Sequence, residues 1–268
     1  LSFSLGVLAT MNGSTEAAKL GTNGNTGHLA KASLKDINSP ADMRILPIEN
    51  LPSIANEVRQ LLIKTCASNG GHIGANLGVV ELTMAVHYVF NTPKDKVIFD
   101  TSHQTYVHKI ITGRRDQFPT LCKYPGGLSR FIIRGENEYD LFSAGHASTG
   151  LSAAMGFAEA AKHQKADFQT VCIVGDGALS GGMAYEALNN MGYNQTDITI
   201  VLNDNKMSIS HNVGAMFEYL KRLSDVASDD QARRSIGTIF EKLGFKYYGP
   251  IDGHNFEQIL GALDKTRA

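Results

Sequence analysis

The chain has 268 residues, is 43% hydrophobic and 19% charged, and carries a formal net charge of −1. Those values suit a globular chain with room for one large α/β domain and exclude the strongly basic surface that a nucleic-acid partner would require. No apolar run approaches the length of a membrane-spanning helix. Three scattered cysteines, Cys66, Cys122 and Cys172, read as reduced core thiols of a reducing compartment.

In chain order, Leu1–Thr10 is weakly apolar, and Asn12–Ser33 is rich in Gly, Asn, Ser, Thr and Ala with a single acid, Glu16. Residues 1–35 are expected to form a flexible arm without chemistry. The first residue is not Met, which suggests processing or truncation, but the segment lacks the arginines of a transit peptide. The folded body is expected over residues 36–268. A helix is expected from Leu51-Pro52-Ser53, capped by Ser53, to about Ala67. The glycine-rich run Asn69–Gly78 surrounds His72 and leads into a helix over Val79–Phe90. Val97–Asp100 reads as a strand, and His103 follows its carboxyl end, where open α/β sheets bind ligands. His108 and Lys109 are expected to cap the next helix, and the arginines that follow, Arg114 and Arg115 among them, to form surface salt bridges, with phosphate binding as the alternative. A long polar connection then ends at Ser143–Gly150, which opens an Ala-rich helix ending near His163.

The most informative stretch is Thr170–Ser210. Thr170–Val174 is a short β-branched run that suits a strand buried on both faces. Gly175-Asp176-Gly177 permits a tight turn and a close ligand approach. A helix is expected over about Gly181–Gly192, with Met183, Ala184, Ala187, Leu188 and Met191 at helical spacing. Ile198–Leu202 is a second strand, ending in Asn203-Asp204-Asn205. One βαβ unit of this kind places Asp176 and Asn205 beyond the ends of neighbouring parallel strands. A carboxylate and an amide oxygen are hard ligands of the kind Mg²⁺ or Ca²⁺ takes. The helix start near Gly177–Gly182 offers N–H donors to a phosphate. Either residue alone is as readily a helix cap or a turn filler; the pair on one rim points to a metal-held diphosphate. The remaining chain reads as strand, turn and helix, with Phe245–Asn255 preceding a helix over about Phe256–Arg267. In the turn, Asp252 is as readily a cap for that helix. Four histidines, His72, His103, His146 and His254, thus fall on loops at one rim. Their spacing fits no zinc signature, and proton transfer suits them better.

These motifs, GDGALSGGMAYEALNNMGY followed by VLNDNKMSIS, resemble those of the 1-deoxy-D-xylulose-5-phosphate synthase family of thiamine-diphosphate enzymes, from about Asp36 onward. The resemblance implies a doubly wound, mostly parallel α/β sheet flanked by helices, the thiamine-diphosphate-binding fold. It implies that Mg²⁺ is held by Asp176, Asn205 and the main-chain carbonyl of Met207. Thiamine diphosphate would contact His103, Gly145, His146, Ala147, Asp176, Gly177, Ala178, Asn205, Ile209 and Tyr247. His72, His103 and His254 would act as catalytic residues facing substrate. The implied reaction joins pyruvate, with loss of carbon dioxide, to D-glyceraldehyde 3-phosphate, in a homodimer of the bacterial cytoplasm or the plastid. No nucleic acid or membrane takes part.

The sequence departs from the family pattern in four places. Ser102 stands where Gly is usual, Val107 where Pro is usual and Ala147 where Ser is usual. The family's long insertion after NDN-x-MSIS is shortened or missing near residues 224–234. The family's cofactor-activating glutamate lies on a later domain, so this chain is expected to supply only the diphosphate half of a site, completed by further domains or a second chain. The N-terminal subunit of a split transketolase and a non-catalytic cofactor-binding module remain alternatives.

Overall fold

A computed structural model describes residues 4–10, 32–205, 213–225 and 238–267 of the protein. The sheet has the order β2-β3-β4-β1-β5, with β1 at Ser4–Thr10, β2 at Lys96–Phe99, β3 at Thr170–Gly175, β4 at Thr199–Asp204 and β5 at Phe245–Asp252. β2 pairs parallel with β3 and β3 with β4, while β1 pairs antiparallel with both β4 and β5. β2, β3, β4 and β5 therefore run the same way, and their carboxyl ends form one rim. The mostly parallel sheet agrees with the sequence. The expected arm needs a correction over Ser4–Thr10, which is a strand. Its backbone groups find partners on two sides, and that pairing outweighs a weak hydrophobic signal. Residues 11–31 lie outside the described residues.

Helices α1 (Pro40–Arg44), α2 (Leu51–Asn69), α3 (Ile73–Leu77) and α4 (Val80–Val89) precede β2. The short α5 (Tyr106–Lys109) follows it, then α6 (Gly150–Gln164), α7 (Asp176–Leu179), α8 (Gly182–Asn194), α9 (Ala215–Asp225), α10 (Ile239–Lys242) and α11 (Phe256–Asp264). α2 begins at Leu51 with Pro52 in its first turn and Asn50, not Ser53, at the cap. Proline at that position loses no hydrogen bond, because the first helical N–H groups have no intrahelical partner.

Strand alternation sorts the core into two layers. Val97, Phe99, Val171, Ile173 and Val201 pack with the buried faces of α2, α4 and α11. Ile98, Cys172, Val174, Ile200 and Leu202 pack on the other side with α6, α8, Leu220 and Phe240. Both faces are covered, so the strands read as continuous apolar runs and only their ends are available for chemistry. Among the described residues no helix is long and apolar enough to cross a membrane.

Beneath the rim lies a buried polar network. Lys109, with no exposed surface, is paired with Glu136. Arg114 bonds Glu136 at 3.0 Å and Asp140 at 2.5 and 3.0 Å. His108 Nε2 lies 2.9 Å from Asp140 Oδ1, and its Nδ1 lies 2.9 Å from His87 Nε2. His108 and Lys109 thus anchor the long connection that carries Glu136 and Asp140 and do not serve as caps. Arg114 is buried in the same network and not on the surface. Arg115 binds the carbonyls of Leu34, Lys35 and Ile37, which fastens the start of the folded body.

Although burial alone would raise it, hydrogen bonds from His108 and Arg114 hold the Asp140 carboxyl down to about 2, against an ordinary 3.8. A carboxylate whose pKa is depressed on folding stabilises the fold above its unfolded value, and that contribution disappears as the pH falls from 3.8 to about 2. Asp140→Asn should cost about 3 kcal/mol near pH 7, because Arg114 is left buried and half-paired. Urea unfolding across pH should show this loss, together with a flatter acid limb than that of the wild type.

Candidate active site

The rim is built by parallel register. Gly175 of β3 lies opposite Asn203 of β4, so the next residues, Asp176 and Asp204, leave adjacent strands side by side, and Asn205 follows. Asp176 is buried as the first residue of α7, while Asn205, Gly177 and Ala178 are half-buried. Among the described residues, a Cβ built at Gly145, Gly175 or Gly182 would meet nothing within 4 Å, so each of these glycines borders open space.

The third wall comes from β2. Asp100, 1% exposed, accepts from the backbone N–H of Ser148 at 2.9 Å and from that of Gly150 at 2.8 Å. Gly150 can have no side chain, since a Cβ would sit 2.7 Å from the Asp100 Cα. Ser148 holds a left-handed backbone, φ 69°, and donates its hydroxyl to the Ala178 carbonyl at 2.5 Å. Asp100 and Ser148 thereby link the His103 loop, the Gly145–Ala147 loop and the Gly177–Ala178 turn. Gly145, His146 and Ala147 are exposed beside them.

His72 and His103 are brought together, with ring centroids 5.7 Å apart and planes at 79°. Asn76, fully buried, arranges them. Its Nδ2 donates to the carbonyls of both His72 and His103 at 2.8 Å, and its Oδ1 accepts from the Tyr106 N–H at 2.7 Å. The Tyr106 hydroxyl lies 3.1 Å from the His72 N and 3.3 Å from its Nδ1. Phe131 covers the other side of His72, 5.3 Å between centroids. Burial lowers the pKa of His72, with Arg130 adding to the effect. Burial also lowers that of His103, aided by His72 and opposed by Asp100. The Nδ1 of His103 is buried without a hydrogen-bond partner among the described residues.

The other expected residues are distributed unevenly. His254 sits on the turn after β5, where its Nδ1 is 3.0 Å from Glu81, which also binds Arg59 at 2.6 Å. Its backbone N–H bonds Asp252, and the cap of α11 is Asn255, not Asp252. Tyr247 is not at the rim. It lies level with Leu8 and hence with Ile200, four residues short of Asp204, and it stacks on Phe240 at 5.9 Å. That register sets it near the amino end of β5. Met207 and Ile209 lie outside the described residues. Asp100, Asn76, Tyr106 and Ser148 were not singled out from sequence; the signal for Asn76 and Ser148 is their place inside the glycine-rich runs, and for Asp100 and Tyr106 their place beside His103 after β2.

The family model described as 1-deoxy-D-xylulose-5-phosphate synthase matches residues 34–236 and 225–268. The chain belongs to that family. It is 43% identical over 265 residues to a 1-deoxy-D-xylulose-5-phosphate synthase of Caldanaerobacter subterraneus subsp. tengcongensis, covering 87% of this chain and 42% of the relative. It is 47% identical over 257 residues to one of Macrococcus caseolyticus, covering 85% of this chain and 41% of the relative. The chain thus spans about two fifths of the length of the curated relatives it matches. Among solved structures it is similar to transketolase from Leishmania mexicana, with a TM-score of 0.61 at 16% identity, covering 81% of this chain and 34% of that one. That likeness bears on the fold alone, and it agrees with the α/β arrangement of the family.

The residues present fit a diphosphate-bearing cofactor and a divalent ion. Hard oxygen donors stand on adjacent strand ends, open glycine turns flank them, and the His103 loop after β2 carries a buried nitrogen with no partner among the described residues. The histidine pair gives a direct test. Because each pKa is lowered on folding, the folded chain binds fewer protons than the unfolded one just below pH 6.5, and stability falls as the pH drops through that range. His72→Asn removes the neighbouring positive charge, so His103 should titrate closer to 6.5 than in the wild type, as read from imidazole chemical shifts.

Proposed function

We propose that this chain forms the diphosphate- and metal-holding part of a 1-deoxy-D-xylulose-5-phosphate synthase, which joins pyruvate, with loss of carbon dioxide, to D-glyceraldehyde 3-phosphate. The observation that carries this reading is the placement of Asp176 and Asn205 on adjacent parallel strand ends within the family-matched region. Asp176 and Asn205, with the Met207 carbonyl, would hold Mg²⁺, and the Gly177 and Ala178 turn would receive the diphosphate. Thiamine diphosphate, when bound, supplies the electron sink that allows the carboxylate of a 2-oxo acid to leave as carbon dioxide.

The protein's own part is positioning and proton handling. Asp100 and Ser148 hold the Gly145–Ala147 loop against the diphosphate turn. His72 and His103 are both kept neutral near pH 7 by burial, so either can exchange a hydrogen bond with a substrate oxygen without the cost of a buried charge. His254 would act from the far side of the rim, its ring fixed by Glu81. The further length of the family's chains, on the same polypeptide or a partner, would complete the site, and a homodimer is the proposed assembly. The shortened stretch near residues 224–234 belongs to the same proposal.

Calorimetric titration of thiamine diphosphate should show binding with Mg²⁺ present and none with chelator. Asp176→Ala should weaken it by about a hundredfold, ~2.7 kcal/mol. Supplying the remainder of a family enzyme should give carbon dioxide and 1-deoxy-D-xylulose 5-phosphate from the two substrates. Binding without turnover in that mixture would reduce the chain to a cofactor-binding module, and metal-independent binding would remove the proposed role of Asp176.

A further inference from the structure

The hydrogen bonds of Tyr106 are fully accounted for, and they constrain a neighbour. Tyr106 has no exposed surface, so water cannot supply a missing partner. Its oxygen lies 3.1 Å from the backbone nitrogen of His72, a group that can only donate. The phenol therefore accepts there and has one proton of its own to place. Among the described residues, the other polar atom in reach of that oxygen is His72 Nδ1, at 3.3 Å. If Nδ1 carried a proton, two donors would converge on the phenol and its own proton would have no acceptor. A buried donor left unsatisfied costs about 1–3 kcal/mol. With Nδ1 as acceptor, all three groups are satisfied.

We propose that Tyr106 is a positioning residue that fixes His72 as its Nε2–H tautomer, so that His72 meets an oxygen atom of the bound substrate as a neutral hydrogen-bond donor and not as a base. The inference deepens the proposed function and rests on it for the identity of the substrate, but the tautomer itself does not. The nitrogen not engaged by a fixed hydrogen bond is the one an imidazole presents to its ligand. Three further observations support the arrangement. Asn76 binds the Tyr106 N–H and the His72 carbonyl, so the phenol and the imidazole are held by one amide. Gly71, at φ 130°, leaves the space the phenol occupies; a Cβ there would lie 2.8 Å from the Tyr106 oxygen. Burial raises the phenol pKa and lowers that of His72, so both groups keep the neutral forms the bond requires.

The experiment is a long-range ¹H–¹⁵N correlation spectrum of the ligand-free chain labelled with ¹⁵N-histidine, at a pH above the His72 titration. The His72 signals are assigned by their loss in His72→Asn. The wild type should show His72 as a single Nε2–H tautomer, and Tyr106→Phe, which removes only the hydroxyl, should relax it to the two-tautomer mixture of a free imidazole. A wild-type His72 protonated on Nδ1, or a spectrum unchanged in Tyr106→Phe, would overturn the proposal. Should Tyr106→Phe not fold, a slowly exchanging Tyr106 hydroxyl proton with a cross-peak to the His72 ring decides the matter in the wild type, and its absence counts against the proposal. None of these readings depends on cofactor binding or turnover, so a failure of the proposed reaction would leave them standing, and the reverse also holds.

Discussion

One buried carboxylate holds the rim together. Asp100 spends both oxygens on backbone N–H groups at the start of α6, and a carboxylate so bonded gains charge-assisted hydrogen bonds that a neutral residue could not supply. The effect is long-range in sequence and short-range in space. Ser148 lies 48 positions from Asp100, yet its N–H fixes the loop of Gly145, His146 and Ala147. The Ser148 hydroxyl then reaches the Ala178 carbonyl, so β2 and the turn after β3 cannot move independently. Gly150 is required because the Asp100 backbone fills the volume of its side chain, and Gly181 because Ser148 does the same, with the Ser148 Cβ 2.6 Å from where a Cβ would be. At these two positions glycine provides clearance for the chain itself.

β2, β3 and β4 were legible because each is a short apolar run bounded by turn residues, and burial on both faces leaves that signature directly in the sequence, whereas β1 was read as part of an arm. The placement of Asp176 and Asn205 followed from the βαβ rule. What could not be read is whatever depends on which loop meets which. Asn76 is an unremarked residue in a glycine-rich run, and only the folded chain brings His72, His103 and Tyr106 within reach of its amide. Lys109 and Arg114 were expected at caps and on the surface because lone basic residues usually are. Their burial is paired by Glu136 and Asp140, which are 27 and 26 positions away respectively, and pairing at that distance leaves no local pattern. Tyr247 is set by strand register level with Ile200, a placement that no local pattern in the sequence announces.

The four histidines show how position on a rim differs from membership of a site. All four do follow loops at the carboxyl side of the sheet. His72 and His103 share a wall, and His72 adds to the lowering of the His103 pKa by burial. His146 stands exposed on the loop that Asp100 anchors. His254 is fixed by Glu81 on α4, and Glu81 is itself held low in pKa, against the effect of burial, by Arg59 and His254. His254 has a carboxylate partner, whereas burial lowers the pKa of His72 and His103. The rim thus contains two kinds of imidazole, and their neighbours distinguish them where the sequence could not.

The departure at Ser102 can be judged on the same footing. Thr101 and Ser102 have φ of 59° and 65°, a left-handed region in which a side chain costs of order 1 kcal/mol relative to glycine. Ser102 does not widen or reshape the loop in recompense. It is fully buried, its oxygen accepts the Ile132 N–H at 3.0 Å, and its carbonyl receives the Thr105 hydroxyl at 2.7 Å. A buried hydrogen bond contributes about 1 kcal/mol net, so the strain and the new bond are of one size. The strain is local, but the bond is not, because it ties the His103 loop to the segment whose Phe131 ring covers His72. A residue that looks from sequence like an imperfect match therefore adds a cross-link between the two walls of the histidine pair, and the loop keeps the left-handed path that a glycine would take most easily.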